Sequence, residues 1–118
     1  MTSSVPTKLI FLTDLPSYSQ GDKVRFMGCI DEYNAATGIL TLKHDYMSKN
    51  HTAHVNVEHV REGLPSTAIA VGAWINIVGY IQGHQNSASI VQATMLWEAG
   101  PLKVADYERA LQARKDNG

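Results

Sequence analysis

Apolar residues recur at every second position through the middle of this chain, the signature of half-buried β-strands. After a Gln20-Gly21-Asp22 turn, Val24, Phe26, Gly28 and Ile30 alternate with Lys23, Arg25, Met27 and Cys29. Gly28 inside that run predicts a bulge or sharp bend, the device that lets one long strand serve two sheets of a barrel. Turn residues at 34–38 lead to Ile39, Leu40 and Leu42, which begin a second strand and make a hairpin. A polar loop over 45–52 precedes a short third strand at 54–57. Residues 58–64 read as one or two helical turns, ended by Gly63 and Pro65. Gly72 opens a fourth strand at 73–82. The turn at 83–87 then closes a second hairpin with a fifth strand at 89–97. Beyond Gly100-Pro101 the period becomes helical over 103–114, with Val104, Tyr107 and Leu111 on one face.

Five strands with a helical connection between the third and fourth follow the order of an OB barrel. The expected class is all-β: a five-stranded OB-fold barrel, a short helix between strands three and four, and a C-terminal α-helix. Another small barrel or a partly open sheet is the alternative. With 118 residues, 44% of them apolar, one domain over 1–118 is expected, its barrel at about 8–99 and its helix at about 102–115. Cys29 is the only cysteine, so neither an intrachain disulfide nor a cysteine-based zinc site can form, in keeping with a reducing compartment. The start of the chain lacks a secretory pattern. The most apolar stretch, 68–81, is interrupted by Asn76 and is shorter than the roughly 20 residues a membrane span needs. A soluble intracellular protein without membrane attachment is expected.

Catalysis has little to stand on. His44, His51, His54 and His59 are close in sequence but lack the i, i+4 helical spacing of a zinc motif, so surface imidazoles on a polar loop are expected rather than a metal. Asp31 and Glu32 are adjacent in a strand, and neither a GxSxG elbow nor a phosphate-cradling glycine loop occurs. No cofactor, metal or catalytic residue is expected. Nucleic-acid binding has more in its favour, because OB domains stack bases on aromatics in a basic groove across strands two and three. Lys23, Arg25, Lys43, His44, Tyr46 and Lys49 form the candidate DNA-binding set. Against it, the formal net charge is −1, and 63–97 carries no Asp, Glu, Lys or Arg at all. A loop between strands four and five without cations adds little phosphate affinity.

The C-terminal helix carries the strongest functional signal. It is too short to be stable alone in water, so its apolar face must pack on something. Either it plugs its own barrel or part of it docks a second protein. Trp74, Val78 and Tyr80 tip the reading toward docking. If Ile75, Ile77 and Ile81 point inward, these three point outward from a charge-free strand. Val104, Tyr107, Leu111, Arg114, Trp74, Val78 and Tyr80 are therefore the expected partner-binding residues.

The runs LIFLTDLP (9–16), GDKVRFMGC (21–29), GILTLKH (38–44), VGAWINIVGY (71–80), VQATMLW (91–97) and YERAL (107–111) resemble, in that order, the fungal Ten-one family. Ten-one is the smallest OB-fold subunit of the telomere-capping CST (Cdc-Stn-Ten) complex. The resemblance implies a heterodimer with the Stn subunit, with Val104, Tyr107, Leu111 and Arg114 meeting the partner helix, and the CST large subunit in the full assembly. It also implies a nuclear location at telomeres, where the assembly binds single-stranded telomeric DNA, protects chromosome ends and supports lagging-strand fill-in. Two other readings stand beside it. One is an autonomous single-stranded nucleic-acid binder of SSB or cold-shock type; the other is a small hydrolase or metal enzyme.

Overall fold

The computed structural model describes residues 8–63, 69–101 and 103–116. Its organising element is the long strand β2 (Lys23–Asn34), which follows a two-residue strand β1 (Leu9–Ile10) and a 3₁₀ helix (Leu12–Ser17). The remaining strands are β3 (Ile39–Lys43), β4 (Thr52–Asn56), β5 (Trp74–Gln85) and β6 (Ala88–Glu98), and the helix α1 (Val104–Asp116) follows β6. β2 pairs antiparallel with β5 from Lys23↔Tyr80 to Cys29↔Trp74, then with β3 from Cys29↔Lys43 to Asn34↔Ile39. β4 joins β3 antiparallel and β6 parallel, and β6 pairs with β5. The sheet therefore runs β1-β2-β3-β4-β6-β5 and closes through β2–β5. The closed ring of β2 to β6 is the expected five-stranded OB barrel, with the two-residue β1 added alongside β2 and a C-terminal helix.

One long strand does serve both halves, but not through a bulge at Gly28. The register shift lies one turn of the pleat later, between Ile30 and Glu32. Gly28 is there for closeness. A Cβ at this position would come within 2.9 Å of both Leu12 Cδ1 and Leu42 Cβ, so only glycine lets β2 pass between the 3₁₀ helix and β3. Leu12 and Leu15 fill one end of a core of Phe26, Ile30, Leu40, Leu42, Val55, Ile75, Ile77, Ile81 and Val91, all fully or almost fully buried.

Three further differences from the sequence reading are local. β1 pairs parallel with β2 through Leu9↔Arg25 and Ile10↔Phe26, a strand too short to leave a period. β5 continues through the expected 83–87 loop to Gln85, because a register shift between Ile81 and Gly83 absorbs Gln82. The hairpin turns instead on Asn86 and Ser87, with Asn86 at φ 57°, a conformation asparagine tolerates. The connection after β4 holds a 3₁₀ turn at Arg61–Gly63. The expected ends of that segment at Leu64 and Pro65, and the start of the terminal helix at 102, lie outside the described residues.

Candidate protein interface

α1 is fastened to the barrel along its length. Leu111 is only 5% exposed. The Tyr107 ring meets Phe11 edge-on, centroids 6.0 Å apart, and lies 5.9 Å from His44. His44 Nε2 and Glu108 Oε2 are 2.7 Å apart, with the imidazole buried, and Trp74 closes the other side of that ring edge-on at 5.0 Å. Tyr46 stacks on Phe11 at 4.5 Å and donates its hydroxyl to Gln112 Oε1 at 3.4 Å. Lys115 Nζ reaches both Asp14 carboxylate oxygens at 3.1 Å. The Tyr107 hydroxyl faces the Met27 backbone without reaching hydrogen-bond geometry; burial, with the Glu108 carboxylate adding to it, pushes its pKa up from the usual phenol range.

The apolar stripe of α1 is thus used within the chain, which corrects part of the expected partner-binding set. Leu111 is covered by the barrel, Tyr107 largely so, and Val104 is half-buried; Arg114 alone of the four lies exposed. Val78 is buried at 8% and Trp74 is half-buried against His44, whereas Tyr80 is 40% exposed. The solvent side of α1 presents Ala105, Asp106, Arg109, Ala110 and Ala113.

An apolar surface nevertheless exists beside it, completed by residues that alternation could not place. In β6, Val91 and Ala93 point inward. A register shift opposite Val78 and Gly79 then makes Thr94 an extra residue, its hydroxyl donating to the Val78 carbonyl at 3.2 Å. Beyond the shift Leu96 packs on the core, and Met95 and Trp97 turn outward, 56% and 37% exposed. Gly79 permits this, because a Cβ there would run into the Gln92 carbonyl. The guanidinium of Arg25 lies 5.5 Å from the Trp97 ring centroid, in cation–π range. Pairings Val78↔Met95, Asn76↔Trp97 and Met27↔Asn76 make the patch continuous with the edge of β2 that faces Tyr107. Sequence reasoning missed Met95 and Trp97. The only signal was three consecutive apolar residues at 95–97, where a period of two cannot say which face each side chain takes.

The expected DNA-binding residues do not converge. Lys23 lies opposite Tyr80 and Lys43 opposite Cys29, six residues further along β2, roughly 20 Å away. Lys43 pairs with Asp31 at 3.1 Å; that hydrogen bond and charge raise its pKa. Arg25 is occupied by Trp97. His44 is a correction: it is 3% exposed under α1, because the chain turns inward after β3 and delivers the ring to Glu108. Tyr46 is half-buried on Phe11, and Lys49 is exposed.

Against this geometry, comparison with known proteins is decisive. A family model described as "Telomere capping, CST complex subunit" matches residues 1–112. The chain belongs to the Ten1 family. It is 30% identical over 108 residues, 92% of this chain and 93% of the relative, to protein ten1 of Schizosaccharomyces pombe. Its fold superposes with TM-score 0.74 on a chain of the crystal structure of the S. pombe Stn1–ten1 complex, at 30% identity and covering 97% of this chain and 96% of that one. A chain of Ustilago maydis replication protein A bound to ssDNA shares the fold, with TM-score 0.62 and 17% identity, covering 92% and 88%.

Of the remaining histidines of this family member, His51 and His84 tie chain segments together. His54 contacts Thr41 Oγ1 at 3.3 Å and His59 is exposed. His51 and His84 share one fully buried hydroxyl: Ser89 Oγ lies 2.8 Å from His51 Nε2 and 2.8 Å from His84 Nδ1. His84 Nε2 lies 2.6 Å from the Tyr18 carbonyl. A carbonyl only accepts, so for neutral rings the donor order follows: His51 to Ser89, Ser89 to His84, His84 to Tyr18. Partial burial, with His84 nearby, lowers the His51 pKa. An unfolded His51 therefore takes up its proton first as pH drops below about 6.5, and its contribution to stability, complete above that value, declines from there. Melting temperature is expected to fall between about pH 7 and pH 5. The fall should be shallower in His51→Gln, whose amide still donates to Ser89; an unchanged slope removes His51 from this account.

Proposed function

We propose that the chain is a non-enzymatic telomere-capping subunit that heterodimerises with the Stn subunit and joins the CST large subunit in the full assembly. It works at nuclear telomeres, supporting single-stranded telomeric DNA binding, chromosome-end protection and lagging-strand fill-in. One observation carries the reading: a chain of this family exposes Tyr80, Met95 and Trp97 side by side with Arg25 on the outer face of β2, β5 and β6. Apolar aromatic and methionine surface next to an arginine is what an interface core offers. Arg114 and the small exposed residues of α1 also meet the partner in this reading. Tyr107, Leu111 and Val104 act indirectly by seating α1, and Trp74 and Val78 by supporting the outer face.

DNA affinity belongs to the assembly in this reading, with Lys23 the most available contact of the expected set. Titration of a telomeric oligonucleotide into the free chain and into its Stn pair, at two salt concentrations, tests it. The free chain is expected to bind more weakly than roughly 1 μM, in the non-specific range, and the pair more tightly. Sub-micromolar binding by the free chain, steeply weakened by salt, would establish an autonomous single-strand binder instead.

A further inference from the structure

The loop between β3 and β4 ends in a miniature hairpin whose residues contradict its geometry. Tyr46 and Lys49 exchange both backbone hydrogen bonds at 3.0 Å, leaving Met47 and Ser48 as the two turn residues. Both have positive φ, 52° and 64°, the pattern of a type I′ turn. That turn favours Asn-Gly, because a larger side chain meets its own backbone in the left-handed region. Met47 is disfavoured twice over, since its side chain is also 69% exposed. Neither backbone preference nor burial in this chain accounts for a methionine at this tip. Local rules broken in this way cluster where a surface serves another molecule.

We infer that Met47 is a second anchor for the partner subunit, beside α1 at Gln112 and Lys115, and that the partner presents there an apolar residue to Met47 and a carboxylate to Lys49. This rests on the heterodimer proposed above. Continuity with α1 argues for that occupant. Tyr46, next to the tip, bonds to Gln112 of α1, and a cleft of about 220 Å³ between tip and helix is lined by Phe11, Tyr46, Met47, Lys49, Gln112 and Lys115. Charge argues the same way. Asp14, also in the cleft, is neutralised by Lys115, while Lys49 has no carboxylate partner among the described residues, so the cleft is net positive. Methionine suits such a contact because its unbranched, polarizable side chain fills irregular gaps.

The double variant Met47→Asn with Ser48→Gly separates turn from side chain, since it installs the residues the turn prefers and disturbs no barrel contact. The free variant is expected to melt about 3 °C or more above wild type, while its affinity for the Stn subunit falls about tenfold. Met47→Leu with Ser48→Gly is expected to restore most of the affinity. A double variant that melts higher and pairs as tightly as wild type overturns the anchor, even though the heterodimer stands. A melting temperature that does not rise overturns the strain on which the inference depends. Unchanged pairing with weaker DNA binding by the pair overturns it in favour of a nucleic-acid contact. Failure of the wild-type chains to pair at all removes the heterodimer and this inference together.

Discussion

Trp97→Ala is expected to weaken the pair with the Stn subunit at least thirtyfold while leaving a folded chain. The indole stands 37% exposed on the outer face, with the Arg25 guanidinium against it. Removing it takes away both an apolar anchor and the platform that orients a cation toward the partner. Truncating an aromatic anchor of that kind costs about 2 kcal/mol or more, roughly thirtyfold in affinity. The barrel core is filled at this level by Leu96, not Trp97, so the free melt should move by only a few degrees. Met95→Glu gives the companion variant, because Met95 is 56% exposed and little of the fold depends on it. Calorimetric titration of each variant against the Stn subunit, beside a melt of the free chain, reads both quantities. Wild-type affinity in both variants would move the interface off this face altogether.

The barrel was legible in the sequence because its inward positions obey a period of two almost throughout. Val24, Phe26 and Ile30, then Leu40 and Leu42, then Ile75, Ile77 and Ile81 alternate without exception and are all buried. Failures came where the backbone adds or loses one residue. A shift at Thr94 reverses the faces of 95–97, and one at Gln82 lengthens the hairpin. A bulge leaves only a weak local mark on composition, since it depends on how one strand meets its neighbour. Gly79 was visible as a glycine, but its need for close approach to the Gln92 carbonyl was not.

The histidines show a second limit. Their crowding in sequence invited one common site, yet His44 pairs with Glu108, 64 residues away, and His51 meets Ser89, 38 residues away. Partners that distant are set by topology, and no spacing rule reaches them. For the helix stripe, periodicity established that Tyr107 and Leu111 share a face. It could not say whether that face meets the chain's own barrel or another protein.

Leu111→Ala decides between those two roles, because they predict opposite free-chain behaviour. A thirteen-residue helix is marginal in isolation. α1 is held by Leu111 in the barrel groove, by the Glu108–His44 bond and by Lys115 on Asp14. The last of these is exposed and contributes little. Removing a buried leucine side chain costs about 2–5 kcal/mol, depending on how far the site can collapse. The free variant is therefore expected to melt roughly 10 °C or more below wild type and to lose helical circular dichroism, which Trp97→Ala does not do. Pairing should suffer less than the melt implies. A partner that binds only the docked helix shifts the equilibrium back toward it, so excess Stn subunit recovers much of the lost stability. A Leu111→Ala chain that melts like wild type but no longer pairs would show that this leucine faces the partner after all, with the barrel groove only its resting place.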